Sequence, residues 1–213
     1  MTADETSRAQ LMLAMAASAG ASERLAAVLA VVSAASVIIT PSSDEALVAA
    51  LVSEGQRRGA AMLIAEDPHL ARSVGADGVH LGYSETPRER YETARALLGG
   101  KSVVGCDAGR SKHDAMTLGE LGADFVAFGV PEFVKDRQTA FHRQLELLAW
   151  WSEIFEVPSV ALDAADSQQA RAMAAAGADF VCLRYNPGTV IGDMIADTRS
   201  WAEAIAAPAI GRG

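Results

Sequence analysis

Short apolar runs recur along the chain, separated by longer segments whose apolar positions follow a helical period. Runs of this kind, bounded by glycine, proline or charged residues, are typical of buried strands. Eight strands are predicted, in QLMLAMA (10–16), SVIIT (36–40), AMLIAED (61–67), GADGVHLGY (75–83), KSVVGCD (101–107), GADFVAFGV (122–130), PSVALDA (158–164) and GADFVCLRY (177–185). Because strands and helices alternate, we expect parallel pairing through right-handed crossovers.

One phrase, beginning Gly-Ala-Asp, occurs three times, at residues 75, 122 and 177. These spacings match two strand–helix pairs and predict a repeated βαβα unit. Each phrase follows an alanine-rich helical stretch, so its glycine is expected in the left-handed conformation that ends a helix. The third copy differs, because Arg184 stands where the other two carry Gly82 and Gly129.

Helix starts are marked by capping signals. Thr86-Pro87-Arg88-Glu89 combines an N-cap residue, a proline at the first helical position and a capping-box glutamate. The pairs Ser42 with Glu45 and Asp166 with Gln169 repeat that spacing.

Eight strand–helix units in 213 residues favour a compact (β/α)8 TIM barrel of the α/β class. We expect one domain over residues 1–213, with residues 1–8 as a disordered tail. An open doubly wound sheet is the alternative, but SVIIT runs into PSSDE rather than into a glycine-rich phosphate turn.

The charge balance narrows the class of partner. The chain has 27 Asp and Glu against 18 Lys and Arg. An excess of acid argues against nucleic acid and against an anionic membrane surface, and favours a small-molecule ligand. Cys106 and Cys182 lie inside apolar runs, which predicts buried, reduced thiols.

Residues 11–21 (LMLAMAASAGA) resemble the core of a secretory signal, but Asp4 and Glu5 precede them in place of a basic flank. We therefore predict structure there. No apolar run approaches the length of about 18 residues that a membrane span needs. A cytoplasmic protein without membrane contact is expected, and a homo-oligomer stays open.

In a barrel of this kind the site lies at the carboxyl ends of the strands. Polar residues at or just beyond these ends are Glu66, Asp67, His80, Tyr83, Glu85, Asp107, Lys135, Asp163, Arg184 and Tyr185.

Several carboxylates at one rim repel each other unless a cation or a raised pKa relieves them. Asp67 and Glu85 together point to a hard metal such as Mg²⁺, although strand-end acids also cap the following helix. His80 is either an acid–base group facing the barrel interior or a core histidine. Lys135 either binds an anionic substrate from its loop or is simply solvated.

The order of these motifs resembles the thiamine phosphate synthase and TenI-type family. LIAEDPHLARSVGADGVHLGYSETP is similar to its Asn-Asp strand end followed by GADGVHLGQ and acidic residues, and SVVGCDAG and GADFVAFGVPEF are similar to its next two strands. The resemblance implies a (β/α)8 barrel that, with Mg²⁺, joins a pyrimidine diphosphate to a thiazole phosphate and releases diphosphate.

By position, the resemblance makes Asp67 and Glu85 the metal ligands. It makes His80 and Lys135 candidate catalytic residues. The candidate substrate-binding positions depart from the family pattern: Glu66 replaces Asn, Tyr83 replaces Gln, Asp107 replaces Ser, Asp163 begins the place of a glycine pair, and Arg184 replaces a small residue. In addition, VIITPSS stands where the family has Gln-x-Arg-x-Lys.

These departures keep other functions open. One is a non-catalytic or regulatory TenI-like paralogue that binds a different small ligand. Another is a lyase or isomerase that acts on a different anionic substrate through Asp107, Asp163 and Arg184.

Overall fold

The predicted barrel is confirmed. The computed structural model describes residues 9–131 and 133–207. Its parallel strands close in sequential order, β1 pairing with both β2 and β8. The strands are β1 (Gln10–Ala16), β2 (Ser36–Thr40), β3 (Ala61–Ala65), β4 (Gly78–Leu81), β5 (Val103–Asp107), β6 (Phe125–Phe128), β7 (Ser159–Ala161) and β8 (Phe180–Arg184).

A helix follows each strand and covers the outside of the barrel. The helices are α1 (Ala21–Leu29), α2 (Glu45–Arg57), α3 (Pro68–Ser73), α4 (Pro87–Leu98), α5 (Lys112–Glu120), α6 (Arg137–Ile154), α7 (Ser167–Ala175) and α8 (Ile191–Ala206). The segment that resembles a signal core forms β1 and leads into α1. The expected tail at residues 1–8 lies outside the described residues.

The three repeated phrases join helices to the even-numbered strands β4, β6 and β8. Gly75, Gly122 and Gly177 have φ values of 67°, 84° and 100°, the left-handed region predicted for them. Each aspartate then bonds back to the preceding strand. Asp77 accepts from Met62 N at 2.7 Å, Asp124 from Val104 N at 2.7 Å and Asp179 from Ser159 N at 2.8 Å.

Alternation along the strands divides the core into two parts. Larger side chains pack between the strands and the helices, among them Leu13, Ile39, Ile64 and Phe128. A smaller cluster fills the barrel interior: Met12, Ala14, Ile38, Leu63, Phe125, Ala127, Val160, Leu162 and Cys182. The interior is thus a packed core, and the space for a ligand lies above it at the carboxyl ends of the strands, hereafter the mouth.

Capping signals mark two of the three predicted helix starts. Asp166 accepts from Gln169 N at 2.8 Å. Thr86 and Pro87 stand at the predicted start of α4, although the Thr86 side chain makes no capping hydrogen bond. The third prediction is wrong, because α2 begins after Asp44, whose carboxylate accepts from Ala46 N and Leu47 N. A carboxylate is the stronger acceptor, and Ser42 instead turns its hydroxyl to the Asp44 carbonyl.

Both cysteines are buried free thiols, as predicted. Among the described residues, the helices are either too short or too polar to reach across a bilayer.

Candidate functional site

A cleft of about 450 Å³ opens at the mouth. Its lining comes from the ends of β5 and β8, the start of α6 and the loops after β4, β6 and β7. It consists of Tyr83, Asp107, Val130, Pro131, Phe133, Arg137, Asp163 and Arg184. Four of the predicted substrate-binding residues, Tyr83, Asp107, Asp163 and Arg184, therefore share one space.

Asp107 and Asp163 approach each other across Gly129. A methyl group added at Gly129 would lie 2.6 Å from Asp107 Oδ2 and 3.1 Å from Asp163 Oδ2. Both carboxylates thus face the same point, and only glycine leaves room for them. We call Asp107 and Asp163 the carboxylate pair.

Main-chain amides hold the carboxylate pair in place. Asp107 Oδ1 accepts from Gly109 N at 2.7 Å and from Gly129 N at 3.0 Å. Asp163 Oδ2 accepts from Val130 N at 2.9 Å. Burial raises the pKa of Asp107 to about 7, with the negative charges of Asp163 and Glu66 acting in the same direction and the two amides opposing the shift.

Two acidic residues at the mouth have left-handed backbones. Asp163 has φ 61° and Glu66 has φ 69°. Such a conformation costs free energy for any residue but glycine, and it persists where the surrounding structure enforces it. The backbone at both positions turns a carboxylate onto a neighbouring strand end.

Glu66 belongs to the rim next to the cleft rather than to its lining. Its Oε1 accepts from Gly82 N at 2.7 Å, and its Oε2 forms an ion pair with Arg90. Arg90 also donates to the Gly82 carbonyl at 3.1 Å. Glu66 is therefore engaged by its own protein, whereas we expected it to contact substrate.

Two guanidinium groups supply the positive charge of the cleft. Arg137 donates to the carbonyl oxygens of Val130 and Pro131 at 3.0 and 3.3 Å, which ties it to the β6–α6 loop. Arg184 forms no hydrogen bond or ion pair with any other described residue. Its charge is therefore available to a ligand, and Arg184 does not form an internal ion pair with Asp107 or Asp163.

Contrary to expectation, the ring of Tyr185 does not face the mouth beside Arg184. Tyr185 is buried behind β8, where its hydroxyl bonds to Thr198 and to the Met194 carbonyl on α8. Consecutive strand residues point to opposite faces, so Arg184 and Tyr185 cannot both face the mouth.

An aromatic pair covers one side of the cleft. The rings of Tyr83 and Phe133 lie 5.9 Å apart, and their residues are 44% and 67% exposed. Tyr83 also packs on Gly109, where an added methyl group would come within 2.7 Å of Cδ2. Exposed aromatic rings beside a cleft are suited to stacking against a planar ligand.

His80 lies beneath the mouth, inside the barrel. Its ring stacks on Phe125 at 5.9 Å and 11°, which is allowed because Gly105 between them has no side chain. Burial lowers the pKa of His80 to about 4, so the imidazole is neutral at neutral pH. Its Nδ1 has no partner among the described residues and is free for one hydrogen bond.

The predicted metal ligands supply few donors. Asp67 caps α3, its Oδ1 accepting from Leu70 N at 2.9 Å, while its Oδ2 and the exposed Glu85 carboxylate have no partner in the described part of the chain. Mg²⁺ often binds through one or two carboxylates together with waters and substrate phosphates, and carboxylate oxygens are the donor type that it prefers. Within residues 9–131 and 133–207, no group of three or more His, Cys, Asp or Glu side chains could hold a metal.

Lys135 lies exposed on the β6–α6 loop and does not line the cleft. Arg137, two residues further on, reaches the cleft instead. Phe133 is a lining residue that the sequence did not reveal. The only signal for it was an aromatic residue in the loop between β6 and α6.

Comparison with known proteins gives a family. Residues 17–185 match the model of the TMP-TENI family, described as thiamine monophosphate synthase. The chain is 40% identical over 135 residues to the thiamine-phosphate synthase of Hyphomonas neptunium, covering 63% of this chain and 60% of that protein. It is 40% identical over 150 residues to the thiamine-phosphate synthase of Erythrobacter litoralis, covering 69% and 68%.

The match to the Rhodospirillum centenum thiamine-phosphate synthase, at 41% identity, covers 60% of that protein. The chain thus spans 60% of the length of the Hyphomonas and Rhodospirillum relatives and 68% of that of the Erythrobacter one. Among solved structures, the thiamine phosphate pyrophosphorylase from Pyrococcus furiosus superposes with a TM-score of 0.72 at 19% identity, covering 93% of this chain and 96% of that one. A structure titled "Native KDPGal structure" gives 0.71 at 14%. Likeness at such low identity shows the fold alone.

Proposed function

Because the chain belongs to the thiamine monophosphate synthase family, we propose that it is a cytoplasmic transferase that joins a pyrimidine diphosphate to a thiazole acceptor. The observation that carries this proposal is the cleft at the mouth. All of its lining residues fall within residues 17–185, which match the family model. Carboxylates, a free guanidinium and exposed aromatic rings all meet there, as a reaction that separates charge on planar rings requires.

The chemistry is a substitution at one carbon. The bond between the pyrimidine methylene carbon and the diphosphate oxygen breaks, and its electron pair leaves with the diphosphate. The lone pair of the thiazole nitrogen forms the new carbon–nitrogen bond. No proton moves, while positive charge develops on the rings and negative charge on the leaving group.

Preorganised groups of opposite charge lower the barrier of such a step. The carboxylate pair faces the cleft and would stabilise the positive charge on the rings. Arg184 would bind the leaving diphosphate, and Lys135 could reach it from its loop. Tyr83 and Phe133 would stack on a ring and exclude water.

Two further groups complete the proposal. Mg²⁺, when bound through Asp67 and Glu85, would neutralise charge on the diphosphate. The neutral His80 lies beneath the cleft, and its buried Nδ1 would become available to a ligand ring only after the neighbouring side chains move. Its low pKa argues against a role as a cation at neutral pH.

A direct assay tests the proposal. The protein is incubated with the pyrimidine diphosphate, the thiazole acceptor (with and without its phosphate) and Mg²⁺, and the coupled product is measured by mass spectrometry. Arg184→Ala is expected to lower kcat on the order of 10²-fold. Arg199→Ala, on the exposed face of α8, is the matched control and should leave the rate unchanged. No product with any acceptor would contradict the proposal.

The second candidate is a non-catalytic paralogue that binds a small ligand. It is favoured by one observation, the occupation of the amides of Gly82, Gly109, Gly129 and Val130 by the protein's own carboxylates. On this reading thiazole or pyrimidine compounds would raise the melting temperature without turnover, since a ligand specific for the folded state stabilises it.

A further inference from the structure

The amides at the mouth decide which part of a ligand can bind there. Phosphate groups in proteins are commonly held by main-chain N–H groups together with cations. Here Gly109 N and Gly129 N donate to Asp107, and Val130 N donates to Asp163. Asp107, Gly129, Val130 and Asp163 form one side of the cleft, hereafter the wall. The main-chain donors of this wall are therefore not available to an anion.

The groups left for a ligand on that wall are hydrogen-bond acceptors. Asp107 Oδ2 accepts no hydrogen bond from any described residue, and it faces the same point beside Gly129 as Asp163 Oδ2. An ionised carboxylate can only accept, so it binds a hydroxyl or a protonated nitrogen. A phosphate brought to this point would meet the negative charge of Asp163, together with that of Asp107 whenever its carboxyl is ionised.

The cations of the cleft are two guanidinium groups on other elements. Arg137 is held by its Nη1 against the carbonyl oxygens of Val130 and Pro131. Arg184 stands on β8, beside the strand β7 that Asp163 follows and three strands around the barrel from Asp107 on β5. One free guanidinium can serve one anionic group. In the proposed reaction that group is the diphosphate of the pyrimidine substrate.

The strained backbone of Asp163 supports a functional role for this wall. Asp163 holds φ 61°, a conformation that glycine would adopt without cost. Its carboxylate is nevertheless placed beside Asp107, where the two charges oppose each other. Strain of this kind is found at functional sites more than elsewhere.

We infer that the carboxylate pair selects a thiazole acceptor whose side arm ends in a free hydroxyl and rejects the same acceptor carrying a phosphate. The product is then the unphosphorylated coupled compound. This inference rests on the proposed function, because the acceptor is a substrate of that reaction. The bonds that form and break are the same for either acceptor.

Binding to the wild-type protein provides the first test. Isothermal titration is carried out with the thiazole alcohol and with the thiazole phosphate, each without the second substrate. We expect the alcohol to bind at least about ten-fold more tightly, a difference of about 1.4 kcal/mol. Equal affinity, tighter binding of the phosphate, or no binding of the alcohol would overturn the inference.

A variant that opens the wall provides the second test. Asp107→Ser/Asp163→Gly removes both charges, frees the Gly129 and Val130 amides and relieves the strain at position 163. Its preference should shift towards the phosphate by about ten-fold or more. Asp107→Asn/Asp163→Asn keeps the acceptor oxygens and takes the place of the first variant if that one does not fold. It should lose most of the discrimination between the alcohol and the phosphate.

Asp166→Ser is the matched control. It removes one negative charge from the loop after β7 and retains a capping oxygen for α7, and it should leave the ratio of affinities unchanged. An unchanged ratio in both double variants would also refute the inference.

The outcomes separate the two proposals. Selective binding of the alcohol without any coupled product would refute the transferase and leave the selectivity standing. Efficient coupling of the phosphate, with the alcohol inactive, would support the transferase and refute the selectivity.

Discussion

Burial acts on Asp107 and His80 in opposite directions. It raises the pKa of the carboxyl to about 7 and lowers the pKa of the imidazole to about 4. In both cases the neutral form is favoured, because removal from water penalises charge. Each shift makes the stability of the folded protein depend on pH.

For Asp107, the folded pKa lies above its ordinary value of 3.8. The folded state binds this proton more tightly, so its contribution to stability is full below about pH 4 and is lost as the pH rises through 7. Asp107→Asn keeps an oxygen for the amides of Gly109 and Gly129 and does not titrate. We expect its stability relative to wild type to increase from pH 4 to 7, by about 4 kcal/mol at most.

Urea unfolding at several pH values measures this difference. Asp114→Asn, at the start of α5 and outside the cleft, controls for a general change of charge. A difference between wild type and Asp107→Asn that does not vary with pH would show that Asp107 titrates normally.

For His80 the sign is reversed, since its folded pKa lies below the ordinary 6.5. The contribution of the neutral ring is full above pH 6.5 and is lost as the pH falls through 4. His80→Phe should avoid this loss and gain on wild type by about 2 kcal/mol between pH 7 and pH 5. The measurement is urea unfolding at both values, with His113→Phe on the exposed side of α5 as control.

At the scale of elements, the repeated glycines differ in their surroundings. An added methyl group at Gly177, φ 100°, would lie 2.3 Å from Ser152 Oγ, whereas at Gly75, φ 67°, nothing lies within 4 Å. Gly75→Ala should therefore cost about 1 kcal/mol, the strain of a left-handed alanine. Gly177→Ala should cost more by roughly 1–3 kcal/mol, because a clash adds to the strain.

Thermal unfolding of the two variants tests this order. Gly177→Ala combined with Ser152→Ala is expected to recover part of the loss, since the close contact is with the serine side chain. Equal losses of stability at both glycines would mean that α6 shifts to make room for the added methyl group without a cost in free energy.

The aspartates of the repeated phrases act as links between strands. Asp179 accepts from the main-chain N–H and the hydroxyl of the fully buried Ser159, at 2.8 and 3.0 Å. Asp179→Ala would leave a buried donor on the short strand β7 without a partner. We expect a loss of roughly 2–3 kcal/mol by urea unfolding. Asp179→Asn retains an acceptor and should lose clearly less; equal losses would exclude this role.

At the scale of the whole molecule, the barrel was predictable because its signals are local and repeated. Apolar runs, capping residues and the three Gly-Ala-Asp phrases each recur at the period of the fold. The strands are shorter than the apolar runs that predict them, as for β7, which covers Ser159–Ala161 within the run 158–164. Ser42 was mistaken for an N-cap because Asp44, also a capping residue, lies two positions later.

The site was less predictable, because its arrangement depends on contacts between distant residues. The sequence brought Tyr83, Asp107, Asp163 and Arg184 to one end of the barrel, since each follows a strand. It could not show that Arg90 would engage Glu66, or that Gly129 would let two carboxylates meet. Those facts follow from side-chain directions and loop conformations, which no local pattern encodes.

Closure of the barrel gives the last prediction. A closed sheet has no edge, so β1, at the start of the described chain, is paired on both sides like β5 in the middle. Amides in such strands exchange with solvent only when the whole structure opens. We therefore expect residues 11–16 and 103–107 to show the same slow hydrogen exchange by mass spectrometry. The exposed residues 135–136 supply the fast internal reference. Rapid exchange in β1 alone would mean that the barrel opens between β1 and β8 in solution.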